Sequence, residues 1–206
     1  MGKEITVCTI TRNKSIAVTT LHMLLNLTST CFSNGHRINI HFVEEFSSIH
    51  KLIKTHDKIL WVGYGYALDQ PSFEHIFNSN HEVLVFPTVT ENVNWENFKK
   101  RLGNSEPVHQ KALDFDTTVD KKISDGFWTM KDSNPSVFVM DCRAIDKKLR
   151  TRKGEGLKLP NDIESLFKKF KENEVKCVVY TKANVITQKY HECIGNIMEC
   201  ATVRAA

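Results

Sequence analysis

The sequence predicts an α/β protein of one domain, in which a mostly parallel β-sheet is flanked by helices. The 206 residues suit a single domain. The composition, 41% hydrophobic and 25% charged, is that of an ordinary globular protein. Through the first hundred residues, short apolar β-type runs alternate with helical patterns. That alternation is typical of a parallel sheet whose strands are joined by right-handed helical crossovers.

The first strand and helix follow directly from the pattern. Ile5–Ile10 is the first predicted strand, and a helix begins after Ser15. A second strand over Ile38–Val43 ends at the acidic pair Glu44 and Glu45. Apolar residues recur at helical spacing and predict the buried face of the first helix: Val18, Leu21, Met23, Leu24, Leu25, Cys31 and Phe32.

The stretch Lys58–Asp69, KILWVGYGYALD, is the most informative part of the chain. A buried strand over Ile59–Val62 is followed by Gly63 and Gly65. Glycine allows a backbone to approach a ligand closely, and ligands of open α/β sheets bind at the carboxyl ends of the strands. This strand end is therefore a predicted binding floor, and a simple glycine turn is the alternative.

The remaining elements are less regular, because Gly103–Asp125 is polar and lacks periodicity. A basic stretch covers Lys147–Lys158, and Asn161 and Glu164 fit a capping box at a helix start. The other predicted strands are Val83–Phe86, Gly126–Met130, Val137–Met140 and Lys176–Tyr180, with the middle two placed around one turn; further helices begin at Ser47, Pro71, Asn94 and Tyr190.

Composition and missing motifs exclude several classes of protein. The net charge of +4 is too small to indicate nucleic-acid binding. No apolar run approaches the ~18 residues of a membrane span, and no signal peptide is recognisable. We therefore expect a cytoplasmic protein with reduced, mostly buried cysteines. The six cysteines form no C-x-x-C pair, and the chain lacks the G-x-G-x-x-G, Walker A and G-x-S-x-G motifs.

Several polar residues are candidates for chemistry. Asp114 and Asp116 form the only D-x-D and could bracket Mg²⁺ or Mn²⁺, or else act as turn or capping carboxylates. Asp162 could act as a general base on a hydroxyl, or stabilise the helix that it starts. His191 could bind a metal or be structural. The basic stretch could close over a diphosphate or be a solvated loop.

Taken in order, these pieces resemble the GT-A fold, a Rossmann-like fold of nucleotide-sugar glycosyltransferases. CTITRNK resembles its first strand and loop, and HFVEEFSS its acidic second-strand segment. KILWVGYGYALDQPSFEHIF resembles the strand with the metal-binding D-x-D. GFWTMKDSNPSVFVMDCRAI resembles the small antiparallel insertion, and PNDIESLFKKFKENEVKCVVYTKANVITQKYHE the closing segment. The sequence also resembles small glycosyltransferase modules of large algal DNA viruses, which would imply the host cytoplasm.

The resemblance implies transfer of a sugar from a UDP- or GDP-sugar to a hydroxyl of a glycan or glycoconjugate. It implies one domain, with a nucleotide-binding half over 1–102 and an acceptor-side half over 103–206, which could belong to a larger multidomain chain. Asp162 takes the position of the acceptor-activating carboxylate. Trp61, Trp95 and Trp128 are candidates for sugar stacking, although Trp61 and Trp95 are expected in the core. The implied donor-binding residues are Thr9, Thr11, Arg12, Glu44, Gly63, Tyr64 and Gly65.

The chain departs from the family at the metal site, where Gly63 and Gly65 replace the two aspartates. A divalent cation, Mn²⁺ in the family, could instead be held by Asp69 with His191, or by Asp114 with Asp116. The site could also work without a metal, with Arg12 and the basic stretch offsetting the diphosphate charge. The alternatives to a glycosyltransferase are a non-catalytic nucleotide- or glycan-binding module, or a nucleotidyltransferase.

Overall fold

The structure is a computed structural model that describes residues 2–90, 94–103, 111–150 and 159–187. It is an α/β protein with a large, mostly parallel eight-stranded sheet flanked by helices and a small two-stranded antiparallel sheet. The predicted fold class is therefore confirmed. Among the described helices, none is both long and apolar enough to cross a membrane.

The described elements follow the predicted order closely in the first half of the chain. The strands are β1 Glu4–Ile10, β2 Arg37–Val43, β3 Lys58–Val62, β4 Tyr66–Leu68, β5 Val83–Phe86, β6 Thr117–Ser124, β7 Phe127–Ser133, β8 Val137–Asp141, β9 Cys177–Tyr180 and β10 Val185–Thr187. The α-helices are α1 Val18–Ser33, α2 Ile49–Leu52, α3 Phe73–Asn78, α4 Trp95–Lys100, α5 Cys142–Leu149 and α6 Ile163–Glu172.

The strands of the large sheet lie in the order β2-β1-β3-β8-β5-β9-β7-β6. Strand β8 is antiparallel to both of its neighbours, β3 and β5, and β7 is antiparallel to β9 and β6. Five of the others, β2, β1, β3, β5 and β9, run in one direction. Their carboxyl ends therefore meet at one side of the sheet, called the carboxyl edge below, and β8 starts there.

Two hydrophobic cores cover the two faces of the large sheet. One contains α1 and α3 together with Val7, Leu60 and Leu84 of the sheet. The other contains α2, α5 and α6 together with Trp61 and Phe138. Strand residues alternate between the two cores because successive side chains of a strand point to opposite faces.

The buried face of α1 differs from the predicted one. Thr20, Met23, Leu24, Leu27 and Cys31 are buried, so the expectation for Met23, Leu24 and Cys31 is confirmed. The expectation for the other four apolar residues is wrong, because the sheet and β4 cover only one side of the helix. The exposed fractions are 74% for Val18, 41% for Leu21, 62% for Leu25 and 75% for Phe32.

The second half contains the larger corrections. The strands β7 and β8 do not form a pair around their connecting turn, because β8 inserts between β3 and β5 while β7 pairs with β6 and β9. Part of the polar connection is strand β6, and the helix α5 includes the first residues of the basic stretch, Lys147 and Lys148. These choices depend on distant partners and leave little local signal.

Two further expectations concern helix α6 and the end of the chain. The cap of α6 is Asp162, whose carboxylate accepts a hydrogen bond from the backbone N–H of Ser165 at 2.7 Å. The helix cap therefore lies one residue after the predicted Asn161, and the carboxylate of Glu164 accepts from Lys168 at 2.8 Å instead of completing a capping box. The helix expected from Tyr190 lies outside the described residues, as do positions 151–158 of the basic stretch.

Candidate functional site

The loops after β1, β2 and β3 lie together at the carboxyl edge, because these strands are parallel neighbours. The backbone N–H of Thr11 donates to the carbonyl oxygen of Val43 at 2.8 Å and joins the ends of β1 and β2. This edge brings Thr11, Glu44 and Gly63 into one region. Glu44 is exposed, and its carboxylate has no partner among the described residues.

A tight turn after β1 presents Arg12. Asn13 and Lys14 have φ values of 50° and 60°, and Arg12 and Ser15 exchange backbone hydrogen bonds of 3.0 and 2.9 Å. Two successive positive φ values are typical of the turns that close tight hairpins. The guanidinium carbon of Arg12 lies 4.8 Å from the centre of the Tyr64 ring. A cation–π contact therefore connects the loops after β1 and β3.

The two glycines at the end of β3 are explained by packing within the chain. The N–H of Gly63 donates to the carbonyl oxygen of Ser136 at 2.8 Å. A Cβ atom on Gly63 would lie 3.2 Å from that oxygen and 3.2 Å from Cδ2 of Tyr66. Gly65 has a φ of 81°, which disfavours other residues. The glycine turn is thus present, and its use as a ligand floor stays a prediction.

Thr9 is the second-to-last residue of β1, beneath this region. Its side chain is fully buried, and its Oγ1 has no hydrogen-bond partner among the described atoms. Buried hydroxyl groups usually have a partner, since an unmade hydrogen bond is costly. A role for Thr9 in donor binding stays a prediction, because its hydroxyl is enclosed within the chain.

Asp116 of the D-x-D joins three segments at the carboxyl edge. Its carboxylate accepts hydrogen bonds from the backbone N–H of Thr88 at 3.0 Å, from the backbone N–H of Ser136 at 3.0 Å and from the hydroxyl of Thr117 at 2.8 Å. The hydroxyl of Thr88 is a fourth donor. Since Ser136 also accepts from Gly63, Asp116 anchors the residues beneath the glycine turn.

Asp114, the other member of the D-x-D, is exposed. Its Oδ1 accepts from the backbone N–H of Phe115 at 3.1 Å, and its Oδ2 lies 3.5 Å from the amide nitrogen of Asn94. Asp114 thus lies at the surface, whereas the carboxylate of Asp116 already accepts four hydrogen bonds. Across the described ranges, no group of three or more Asp, Glu, His or Cys residues could hold a metal ion.

Asp69 lies just after the short strand β4. Its backbone N–H donates to Asn184 at 3.2 Å, while its side-chain Oδ1 is buried and has no described partner. Strand β10 runs antiparallel to β4 and ends with Thr187 opposite Tyr66. An unpartnered carboxylate oxygen fits a cation, but His191 lies outside the described residues, so a site formed by Asp69 and His191 stays a prediction.

Asp162 is exposed at the start of α6. Its hydrogen bonds with Ser165, and more weakly the charge of Lys168, lower the pKa of the carboxyl group. A lowered pKa keeps the carboxylate ionised at neutral pH but makes it a weaker base. The ring nitrogen Nε2 of His50 lies 2.9 Å from the carbonyl oxygen of Pro160 and ties the segment before α6 to α2.

An open cleft of about 290 Å³ lies between the first turns of α6 and the Asp116 segment. Asp116 and Asp132 line it from the sheet, and Glu164 and Lys168 from the helix. The start of α6 is therefore near the carboxyl edge. Sequence reasoning did not assign a role to Asp132, Lys168, Thr88 or Ser136, because their approach depends on tertiary contacts.

The described cysteines and the tryptophans occupy positions that suit a structural role, except Trp95. Burial raises the pKa of the Cys8 thiol to about 12 and that of Cys31 to about 11, so neither is an activated nucleophile. Trp61 is fully buried, as expected. Trp95 is 46% exposed, so its expected core position is wrong; it begins the short helix α4, and its ring contacts that of Phe98 of the same helix edge-on at 5.8 Å.

The comparisons with known proteins give no family. No protein-family model matches the chain, and no curated protein matches it. Among solved structures, A197 from STIV is similar at 10% identity and a TM-score of 0.45, over 90% of this chain and 85% of that chain.

Two other similar solved structures come from bacteria. One is the inositol-1-phosphate CTP transferase from T. maritima, at 7% identity and a TM-score of 0.48, over 96% of this chain and 95% of that chain. The other, from Bacillus anthracis, is assigned as a glucose-1-phosphate thymidylyltransferase and was solved with sucrose. Its identity is 7% and its TM-score 0.47, over 98% of this chain and 96% of that chain. Similarity at this level assigns no residue of the site.

Proposed function

We propose that this protein is a glycosyltransferase that moves a sugar from a UDP- or GDP-sugar to a hydroxyl of a glycan or glycoconjugate. The observation that carries the proposal is the Arg12–Tyr64 contact beside the glycine turn, where β1 and β3 end together. It combines an exposed cation and an aromatic ring at the edge where α/β sheets bind ligands. The order of sequence segments that resembles the GT-A fold supports the same reaction.

Arg12 would bind the donor diphosphate. A guanidinium group can donate two parallel hydrogen bonds to phosphate oxygens, and it stays protonated at all relevant pH values. The side chain of Arg12 is exposed and has the Tyr64 ring as its described contact, so it remains accessible to an anion. The half-buried Tyr64 ring offers a flat surface to a base or sugar.

The described residues do not assemble a site for the Mn²⁺ that the resemblance implies. All four donors to Asp116 come from the chain itself, and Asp114 is at the surface. Asp69 retains one unpartnered oxygen, and a cation there would need ligands from outside the described ranges. We therefore propose that Arg12 neutralises the charge of the leaving diphosphate, and we propose no step that uses a metal.

Asp162 would receive the proton of the acceptor hydroxyl. It lies at the start of α6, which also borders the cleft facing Asp116. Its carboxylate is ionised at neutral pH, as a proton acceptor must be. The acceptor would then lie between α6 and the donor on the carboxyl edge.

A non-catalytic nucleotide- or glycan-binding module is the second candidate function. It is favoured by the internal use of two candidate carboxylates, since Asp116 anchors three segments and Asp162 caps a helix. In that case the Arg12–Tyr64 region would bind a nucleotide without transfer.

Thermal unfolding with a panel of nucleotide-sugars, with and without Mn²⁺, tests the proposal. A donor at a hundred times its dissociation constant should stabilise the protein by about 2.7 kcal/mol, a shift of a few degrees. A shift without Mn²⁺, accompanied by release or transfer of the sugar, supports the transferase and Arg12 as the compensating charge. A shift that requires Mn²⁺ implicates Asp69 and His191.

The same measurements separate the two candidate functions. A shift without sugar release, for all donors and for glycan acceptors, supports the binding module. The absence of any shift, with no transfer, contradicts both candidates. Arg37→Ala is a matched control for Arg12→Ala, because Arg37 is an exposed arginine at the start of β2, far from the carboxyl edge.

A further inference from the structure

Strand β2 forms an open edge of the large sheet. Its inner side pairs with β1 over all seven residues without a register shift, and no described strand lies on its outer side. The N–H of Arg37 and the carbonyl oxygen of Val43 both bond toward β1. By alternation, the N–H and C=O groups of Ile38, Ile40 and Phe42 point outward.

The outer part of α1 adds an apolar stripe beside this edge. Val18, Leu21, Leu25 and Phe32 recur at helical spacing, and all four are exposed. They were expected in the core from the sequence, and a second apolar face on one helix indicates a second packing partner. Phe42, 56% exposed on β2, extends the apolar surface from the helix to the strand.

The stripe faces the β2 side of α1. Thr20 lies on the buried face of α1, where its hydroxyl donates to the carbonyl oxygen of Tyr66 at 2.8 Å. A right-handed β1–α1–β2 crossover turns the side of the helix about 100° further round, with Leu21, toward the outer strand, and Leu25 lies between that side and solvent. Ile38 and Ile40 pack in the same core as α1, so Phe42, two residues on, points to the α1 face as well.

We propose that a second copy of this chain covers the surface, by antiparallel pairing of β2 with β2 of the partner about a two-fold axis at Ile40. The strand RINIHFV is complementary to itself in this register. Ile38 lies opposite Phe42, Ile40 opposite its own copy, and Asn39 opposite His41. The three pairs of residues with outward-pointing backbone groups exchange two hydrogen bonds each.

The helices complete the interface. Neighbouring strands are about 4.8 Å apart, so helices that cross from β1 to β2 in each copy approach to about 10 Å, the distance of packed helices. The five exposed side chains present on the order of 600 Å² of apolar surface. Together with the edge of β2, this area approaches the roughly 800 Å² per partner of a stable interface.

The outermost strand on the other side of the sheet, β6, contrasts with β2. Strand β6 carries Asp120, Lys121 and Lys122, and its pairing with β7 has three register shifts. Charges and bulges protect edge strands from pairing with other chains. Strand β2 has one charged residue, Arg37, at its very start, and no proline. The two edges thus differ in the features that prevent association.

Sedimentation analysis of the full chain over a range of concentrations tests the dimer. We expect twice the mass of one chain for the native protein. Phe42→Lys and Leu25→Lys should each raise the dissociation constant by about 100-fold, because the two-fold axis places every substitution in the interface twice. Ile123→Lys is the matched control, because Ile123 is 51% exposed on the other edge strand and should leave the dimer unchanged.

Cross-linking tests the register. Ile40→Cys should give a disulfide-linked dimer under oxidation, since the pair at the axis has a Cα–Cα distance of about 5.5 Å. Ile38→Cys should give no more disulfide-linked dimer than the native chain, because its partner is Phe42.

A native monomer at all concentrations overturns the proposal. So does a monomer whose melting temperature falls in Phe42→Lys, which would show that another part of the chain covers the surface. A dimer that resists both lysine variants overturns it as well.

Discussion

The guanidinium carbon of Arg12 lies 4.8 Å from the centre of the Tyr64 ring, so the loops after β1 and β3 meet at the carboxyl edge. An exposed cation–π contact contributes only about 0.5–1 kcal/mol to stability. Such a contact is better suited to orient an arginine for a ligand than to hold the fold together.

Arg12→Ala should therefore affect binding more than folding. We expect the affinity for UDP or GDP to fall about 30- to 100-fold, because a charge-assisted hydrogen bond to phosphate is lost. The free energy of unfolding should fall by no more than about 1 kcal/mol. Titration calorimetry and thermal unfolding measure the two quantities. Equal binding by Arg12→Ala and Arg37→Ala would contradict a role for Arg12.

Asp116→Asn should lower stability, whereas Asp114→Asn should have little effect. The Asp116 carboxylate accepts four hydrogen bonds, and an amide presents one oxygen where the carboxylate presents two. We expect a loss of about 2–3 kcal/mol of unfolding free energy, measured by urea denaturation. A native stability of Asp116→Asn, combined with lost Mn²⁺-dependent activity, would instead identify Asp116 as a metal ligand.

Two variants of Asp162 separate capping from catalysis. Asparagine caps a helix about as well as aspartate, whereas alanine costs about 1 kcal/mol. Asp162→Asn should keep the melting temperature but lose sugar transfer, because an amide cannot accept the proton of the acceptor. Asp162→Ala should lose both. If Asp162→Asn retains the transfer rate, Asp162 is only a cap.

Gly63→Ala should destabilise the carboxyl edge. The added Cβ would lie 3.2 Å from the carbonyl oxygen of Ser136, which is held by backbone pairing and cannot easily move. We expect a loss of about 1–3 kcal/mol, as for other overpacked sites. Gly103→Ala is the control, because no atom of the described residues lies within 4 Å of a Cβ there. Equal melting temperatures of the two variants would show that the contact relaxes without cost.

Acid should weaken the contact between α5 and β9 through Glu82. Burial raises the pKa of this carboxyl group, but hydrogen bonds and charges of Lys148 and Lys176 lower it more, so the net shift is downward. The resulting stabilisation is present above the ordinary glutamate pKa and is lost as the pH falls through the lowered value. The free energy of unfolding of Glu82→Gln should therefore fall less steeply than that of the native protein as the pH is lowered. An unchanged slope would contradict the role of Glu82.

Several elements could be predicted from local sequence because their information is local. The strands around Val7, Leu60 and Leu84 are short runs of apolar residues, and each was predicted to within about two residues. The glycine turn at Gly63 was predicted for the same reason. Of the candidate site, Arg12 was predicted from its place after a strand, but its contact with Tyr64 was not.

The sequence by itself determined the α/β class, the alternation of strands and helices and the residues available for chemistry, since backbone preference and hydrophobic period act over a few neighbours. Only the tertiary structure decided that β8 inserts between β3 and β5, that Asp116 serves as an internal anchor and that one apolar side of α1 stays exposed. Each of these depends on which distant segments meet, because a hydrogen bond or a buried surface requires a partner that local sequence does not specify.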